Sequence, residues 1–285
     1  MTIKKNGWDD TLGGGGYTSP MITPILMLGA GRMGGAILDG WRKTGAFSPD
    51  DLIIVDPNPG EAAVEAAEAG VSLNPPDAEL ARAKTVLLCV KPQAWAQAAA
   101  EYAPLLAKDA VIISIAAGVR SGDIAHAFGG RAVARVMPTT AAAIAHGTAS
   151  LYADEPEALA RAHALFEPLG DVVDLADEGQ MHAATAVSGS APAYLFAFLE
   201  ALEAAGAAAG LAPRDSSRLA RSTLIGAAAL LAESGADPVE LRRQVTSPGG
   251  TTEAALNVLL GENGLPPLMR EAVGRAMRRS KELGG

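Results

Sequence analysis

The sequence predicts an α/β fold: a mainly parallel sheet in the N-terminal part, then an all-helical C-terminal part. Three observations carry that expectation. Short β-rich runs alternate with Ala-rich helical stretches from Ile25 to about Asp174, the texture of βα units. A glycine-rich turn, Gly29-Ala30-Gly31-Arg32-Met33-Gly34, joins the first of those runs to a helix-patterned segment. Beyond Asp177 only helical patterns remain, broken at Pro213, Pro238, Pro248 and Pro266.

Composition narrows the class. The 285 residues are 49% hydrophobic, ample for a core, and carry a formal charge of -9 without a basic stripe, which argues against a nucleic-acid partner. Glu200 and Glu203 interrupt the Ala-rich stretch after Tyr194, so no uncharged run of the roughly 18 residues needed for a membrane span is present. Residues 1–21, with glycines at Gly13 to Gly16, lack a signal-peptide apolar region and read as a disordered extension. A dinucleotide-binding domain is expected over residues 22–177 and an all-helical domain over 178–285. The single cysteine, Cys89, lies in the apolar run Val86 to Val90, reads as a buried strand residue, and points to a reducing cytoplasm.

Strands are expected at Ile25–Leu28, Leu52–Val55, Val86–Cys89, Val111–Ile115 and Ala132–Val136, with Thr148–Tyr152 and Val172–Leu175 extending the sheet edge. After the first, Gly29 permits a tight turn, Gly31 lets a pyrophosphate approach the backbone, and Gly34 lets helix and strand pack closely. Ala36, Ile37 and Trp41 continue with helical spacing. Asp56 ends the second strand about 20 residues on, where an acidic side chain meets a ribose 2′-hydroxyl and repels a 2′-phosphate, favouring NADH over NADPH. The following Pro57-Asn58-Pro59 leaves open a turn that brings Asn58 inward and Asp56 outward. Two more loops fall at strand ends: Val90-Lys91-Pro92-Gln93, whose Lys91 could reach a ribose or phosphate, and Ser114 to Val119, where Ala116 and Ala117 would let a flat ring lie near the backbone.

In the helical part, the segment from Gln180 to Gly210 is too apolar to stand alone in water, so subunit pairing is expected to bury it. Further on, Val245-Thr246-Ser247-Pro248-Gly249-Gly250-Thr251-Thr252 precedes the apolar helical run Glu253 to Leu260. Pro and paired Gly forbid a continuous helix before Thr251, and hydroxyl residues are N-cap types. Free N–H groups and the helix dipole there would attract an anion without any Lys or Arg, although an ordinary capped helix has the same pattern.

Taken together, these residues resemble the pyrroline-5-carboxylate reductase family, from about Ile25 to Leu283. The resemblance rests on the glycine turn, Cys89 to Gln93, Ser114 to Val119, Arg135-Val136-Met137-Pro138, Ser188-Gly189-Ser190 with Pro192-Ala193-Tyr194, and above all Val245 to Thr252 with Ala255-Leu256. It implies a Rossmann domain, a C-terminal all-α dimerisation domain, a homodimer or a ring of dimers, and NAD(P)H-dependent reduction of a small imine carboxylate, 1-pyrroline-5-carboxylate, to L-proline. It also implies that Ser247, Gly249, and the backbone of Gly250 and Thr251 hold the substrate carboxylate, with Thr252 as the catalytic hydroxyl on the ring nitrogen. The cofactor would then lie along Gly29, Gly31, Arg32, Met33 and Gly34, over Ala116 and Ala117, flanked by Met137 and Pro138, with Val90, Lys91 and Pro92 nearby.

Two departures from the family pattern fall near the implied site. Thr139-Thr140-Ala141 replaces Asn-Thr-Pro, removing a carboxamide and freeing the loop, and Ala191 replaces a Gly that would matter at positive φ or at a close backbone approach. His126, His146, His163 and His182 show no metal or triad spacing and read as structural. Three rivals remain. One is a reductase of another cyclic imine. A second is a β-hydroxyacid dehydrogenase relative, which needs a helix-borne Lys although none occurs between Lys108 and Lys281. The third is a non-catalytic cofactor-binding scaffold.

Overall fold

Apolar runs bounded by Gly, Pro and Asp become eight strands in the computed structural model, which describes residues 22–284; the expected extension at residues 1–21 lies outside them. They are β1 (Ile25–Leu28), β2 (Leu52–Val55), β3 (Ser72–Leu73), β4 (Thr85–Leu88), β5 (Val111–Ser114), β6 (Val133–Pro138), β7 (Gly147–Ala153) and β8 (Gly170–Asp174). They form one sheet in the order β3-β2-β1-β4-β5-β6-β7-β8. Every pairing is parallel except β6 with β7. The seven expected strands all form, within two residues at each end. Unforeseen in the sequence, β3 is too short for any alternation to register.

Continuous apolar sequence suits strands covered on both faces, and β1, β4 and β5 are buried throughout. One face packs under α1 (Arg32–Thr44), α2 (Glu61–Glu68) and α6 (Pro156–Phe166), where Trp41, Ile37 and Phe166 meet Met27, Ile54 and Ile113. The Trp41 indole nitrogen donates to the Leu165 carbonyl at 2.8 Å, tying α1 to α6. The other face packs under α3 (Asp77–Leu80), α4 (Trp95–Tyr102) and α5 (Ser121–Ala127) through Leu80, Ala99, Ile124 and Phe128. Each large side chain fully buried in this way contributes roughly 1.5–3 kcal/mol.

Two compact units divide the chain: one reaches to Gly189 and resumes at Met277, the other is Ser190–Ala276. The first also holds α7 (Met181–Ala184) and the π-helical turn Thr185–Gly189. The second is helical: α8 (Ala191–Ala208), α9 (Pro213–Ser234), α10 (Pro238–Gln244), α11 (Thr251–Leu259) and the start of α12 (Leu265–Gly284), whose last turns belong to the first unit. Pro213 and Pro238 open α9 and α10, positions where a missing N–H costs nothing. Helices α8 and α9 approach closely at Gly206, where a Cβ would fall 2.3 Å from the Ser216 hydroxyl.

Largely apolar apart from Glu200 and Glu203, α8 has no buried residue among those described. Phe196 is 63% exposed, Ile225 on α9 70% and Val258 on α11 75%. No helix among the described residues is long and apolar enough to cross a membrane.

Candidate active site

The strand order reverses between β1 and β4, the crevice where open parallel sheets take ligands, and the glycine turn sits on it. Gly29 has a φ of +92, and a Cβ there would lie 3.1 Å from the carbonyl of Cys89 just beyond β4, so only glycine suits both the conformation and the space. A Cβ on Gly34 would fall 2.5 Å from the Gly29 carbonyl oxygen, which lets α1 start close above the turn. Around Gly31, by contrast, nothing lies within 4 Å of such a Cβ.

Helix α1 has no side-chain cap and no acidic residue in its first turn. Its leading N–H groups therefore lack a side-chain acceptor at the positive end of the dipole, which fits a dinucleotide pyrophosphate. Arg32 is exposed and Met33 half-buried at this start.

At the end of β2, Asp56 is 9% exposed and faces the glycine turn. Its Oδ2 accepts the Ala30 N–H at 2.6 Å and its Oδ1 accepts the Asn58 N–H at 2.7 Å. Of the two arrangements that the Pro57-Asn58-Pro59 sequence left open, the structure has the acid inward and Asn58 exposed. Val90 and Pro92 are half-buried and Lys91 exposed at the β4 end, while Ala116 is buried and Ala117 half-buried at the β5 end. The Cys89 thiol is enclosed, and burial pushes its pKa up out of the reactive range.

At the end of β6, Met137 is half-buried and Pro138 buried. A Cβ on Gly189, in the π turn, would lie 3.3 Å from the Met137 sulfur, so a glycine there leaves that side chain its place. Thr139 is buried, and its hydroxyl accepts the Thr148 N–H at 3.0 Å. The turn that follows, Thr140–Ile144, packs so tightly under α1 that a Cβ on Gly40 would fall 2.3 Å from the Ala142 carbonyl oxygen. The expectation of a freed loop is thus corrected: a hydroxyl and a helix contact replace the restraint of the missing proline. Ala191 opens α8 in helical conformation, so its methyl meets no conformational penalty.

The second unit carries the other group of expected residues. After α10, Gly249 turns at φ +69 and Gly250 takes the N-cap position of α11 with no side-chain cap bond. The expected hydroxyl caps are therefore absent, because Ser247 stands three residues before the cap and Thr251 and Thr252 stand beyond it. A Cβ on Gly250 would fall 2.6 Å from the Ser247 hydroxyl, so that hydroxyl rests over the glycine. The Gly250 N–H donates to the Ser247 carbonyl at 3.1 Å, and the Gly249 N–H to Glu253 Oε2 at 2.8 Å. Sequence reasoning passed over Glu253, although an acid three residues past the cap is the spacing of a capping box.

Near the end of the sheet, Arg135, Tyr152, Glu178, His182 and Lys281 border a polar cavity of about 480 Å³ in the first unit. His182 pairs with the Ser280 hydroxyl at 3.0 Å, and His163 bridges Glu167 and Asp174 at 2.8 Å each. Burial, helped by Arg135 and Lys281, lowers the pKa of His182.

Comparison with known proteins gives a consistent picture. The family model for pyrroline-5-carboxylate reductase dimerisation matches residues 178–283, and the one for NADP oxidoreductase, coenzyme F420-dependent, matches residues 24–118. The chain is 39% identical to the pyrroline-5-carboxylate reductase of Pseudomonas aeruginosa, over 92% of this chain and 98% of that one. It is 33% identical to the Escherichia coli enzyme of the same name, over 92% and 99%. A solved pyrroline-5-carboxylate reductase from Coxiella burnetii superposes with a TM-score of 0.85 at 30% identity, covering 93% of this chain and 99% of that one.

Proposed function

The chain belongs to the pyrroline-5-carboxylate reductase family, and from that premise we propose which of its residues do the work. The reaction is reduction of 1-pyrroline-5-carboxylate to L-proline by NAD(P)H. The nicotinamide cofactor supplies a hydride for the C=N carbon. A cyclic imine is basic enough to arrive protonated, so its nitrogen needs no general acid, and the protein's part is orientation and exclusion of water.

The observation that carries the assignment is the uncapped start of α11. Ser247 and the N–H of Thr251 hold the substrate carboxylate, with Gly249 and Gly250 shaping the turn since the Gly250 N–H is taken by the Ser247 carbonyl, and the half-buried Thr252 hydroxyl bonds the ring nitrogen. In the first unit Gly29, Gly31, Arg32, Met33 and Gly34 cradle the cofactor phosphates. Val90, Lys91, Pro92, Ala116, Ala117, Met137 and Pro138 border the rest of the cofactor. The test is cofactor oxidation, followed by absorbance with racemic 1-pyrroline-5-carboxylate and NADH or NADPH in parallel. Absence of turnover from a folded protein that still binds cofactor would turn the assignment towards another cyclic imine.

NADH is the preferred donor in this reading, since the Asp56 carboxylate stands beside the glycine turn and neither Lys nor Arg occurs from Pro57 to Gly60 to take a 2′-phosphate. The protein is a homo-oligomer, matched in its second unit by the family's dimerisation model. The exposed faces of α8, α9 and α11 support a two-fold dimer as its unit, with rings of dimers as the larger assembly. We place its work in the cytoplasm, where the free Cys89 thiol stays reduced.

A further inference from the structure

We propose that Asn74 is a positioning residue for cofactor selection, fixing Asp56 at the end of β2 where the ribose is read. The proposal rests on the assignment of Asp56 as the residue that meets the 2′-position. Asn74 follows β3 directly, and its carboxamide pairs with the Asp56 peptide in both directions. The Asp56 N–H donates to Asn74 Oδ1 at 2.9 Å, and Asn74 Nδ2 donates to the Asp56 carbonyl at 2.9 Å. The backbone N–H of Asn74 donates to the Ile54 carbonyl at 2.8 Å. A side chain thereby continues the ladder that β3 no longer supplies, one residue beyond the end of β2.

Few residues could do this. A primary carboxamide offers a donor and an acceptor side by side, as a strand's peptide does, and Asn carries one on a short stem. Asn74 also sits at φ +50, in the left-handed region that Asn tolerates better than most residues. With its peptide clamped by Asn74, Asp56 has its carboxylate oriented by the N–H groups of Ala30 and Asn58. Two backbone donors occupy only part of a carboxylate's lone-pair capacity, so it can still accept from a ribose hydroxyl. Discrimination needs that fixed orientation, because a carboxylate free to swing away would stop opposing a 2′-phosphate. Asn74 thus acts on the choice of cofactor through Asp56, at a distance from the reacting carbon.

The experiment is a fluorescence titration of NADH and NADPH, without imine, on the full chain and its Asn74→Gly, Asn74→Ala and Asp56→Asn variants, together with thermal midpoints. Glycine accepts φ +50 without strain, so Asn74→Gly removes the carboxamide alone, whereas Asn74→Ala adds strain. Loss of the clamp is expected to weaken NADH binding by roughly five- to tenfold. NADPH binding should weaken less, so that the NADH-to-NADPH affinity ratio falls at least about threefold in both Asn74 variants. The imine KM at saturating cofactor should stay as it was. An unchanged ratio in both, whatever happens to the midpoints, would reduce Asn74 to a fold residue and overturn the proposal. Should Asp56→Asn shift the ratio while Asn74→Gly does not, only the clamp falls; should Asp56→Asn leave it unchanged, the ribose reading of Asp56 falls and the clamp with it.

Discussion

The Arg135 guanidinium donates to Glu178 Oε1 at 3.0 Å, joining the middle of β6 to the segment that leads into α7. Arg135 is 4% exposed, and the same Glu178 oxygen accepts the Ser121 N–H at 2.6 Å, so one carboxylate serves both a buried cation and the start of α5. Removing one partner of a buried pair leaves the other charge uncompensated, at a cost of about 3–5 kcal/mol. Glu178→Ala is therefore expected to lose about 3 kcal/mol, the low end because Glu178 keeps some contact with water. Arg135→Met combined with Glu178→Ala should recover part of that loss. Urea midpoints would measure both, and a single variant as stable as the parent would mean that the pair carries no stability.

The same cluster fixes an acid dependence. Burial raises the pKa of Glu178, but the Ser121 N–H and Arg135 outweigh it, leaving the group below its ordinary value of 4.5. The unfolded chain then takes up the proton first. Glu178 therefore stabilises the fold fully above pH 4.5, and this contribution is lost as pH falls through the folded value. His182, lowered from 6.5 by burial, Arg135 and Lys281, resists protonation when folded, so stability erodes as pH drops below 6.5. Denaturation curves over this range should show two losses. His182→Gln is expected to remove the upper one and Glu178→Gln the lower, and a profile unchanged by either would contradict the assignment.

Thr252→Ala should lower kcat about tenfold, the worth of one hydrogen bond made to a charged group in the transition state. NADH and NADPH dissociation constants should stay where they were, and Thr252→Ser should restore much of the rate. Unaltered steady-state kinetics in Thr252→Ala would remove this hydroxyl from the chemistry.

Phe196 projects from a helix that buries nothing within its own chain. Phe196→Glu puts a charge on that face and is expected to shift the protein to a smaller assembly in sedimentation, with loss of thermal stability. Sedimentation identical to the parent would move the proposed subunit contact away from α8.

Ala145 sits at φ +58, where an L-residue with a Cβ carries a penalty of roughly 1–2 kcal/mol. Ala145→Gly relieves it but frees the unfolded chain, so a net gain of about 0.5 kcal/mol is expected. A thermal midpoint lower than the parent's would show that the unfolded-state term wins.

The sequence by itself determined seven of the eight described strands, the glycine turn and the helix start at Thr251. Each depends on local physics: an apolar run between breakers, a glycine where φ is positive, a proline where no N–H is needed. It also located Asp56, because one acid at the end of an apolar run stands out. Only the tertiary structure decided that Asp56 turns inward, since that follows from which backbone N–H groups Ala30 and Asn58 bring to it. It alone showed that Thr139 binds Thr148 and that α1 closes on Ala142, contacts between segments with no shared periodicity. The pairs Asn74 with Asp56 and Arg135 with Glu178 are separated by whole helices and strands, and the sequence around each residue carries no mark of its partner. Hydrogen bonds between distant segments are set by how the chain folds back on itself, and a linear pattern of residue types does not encode that geometry.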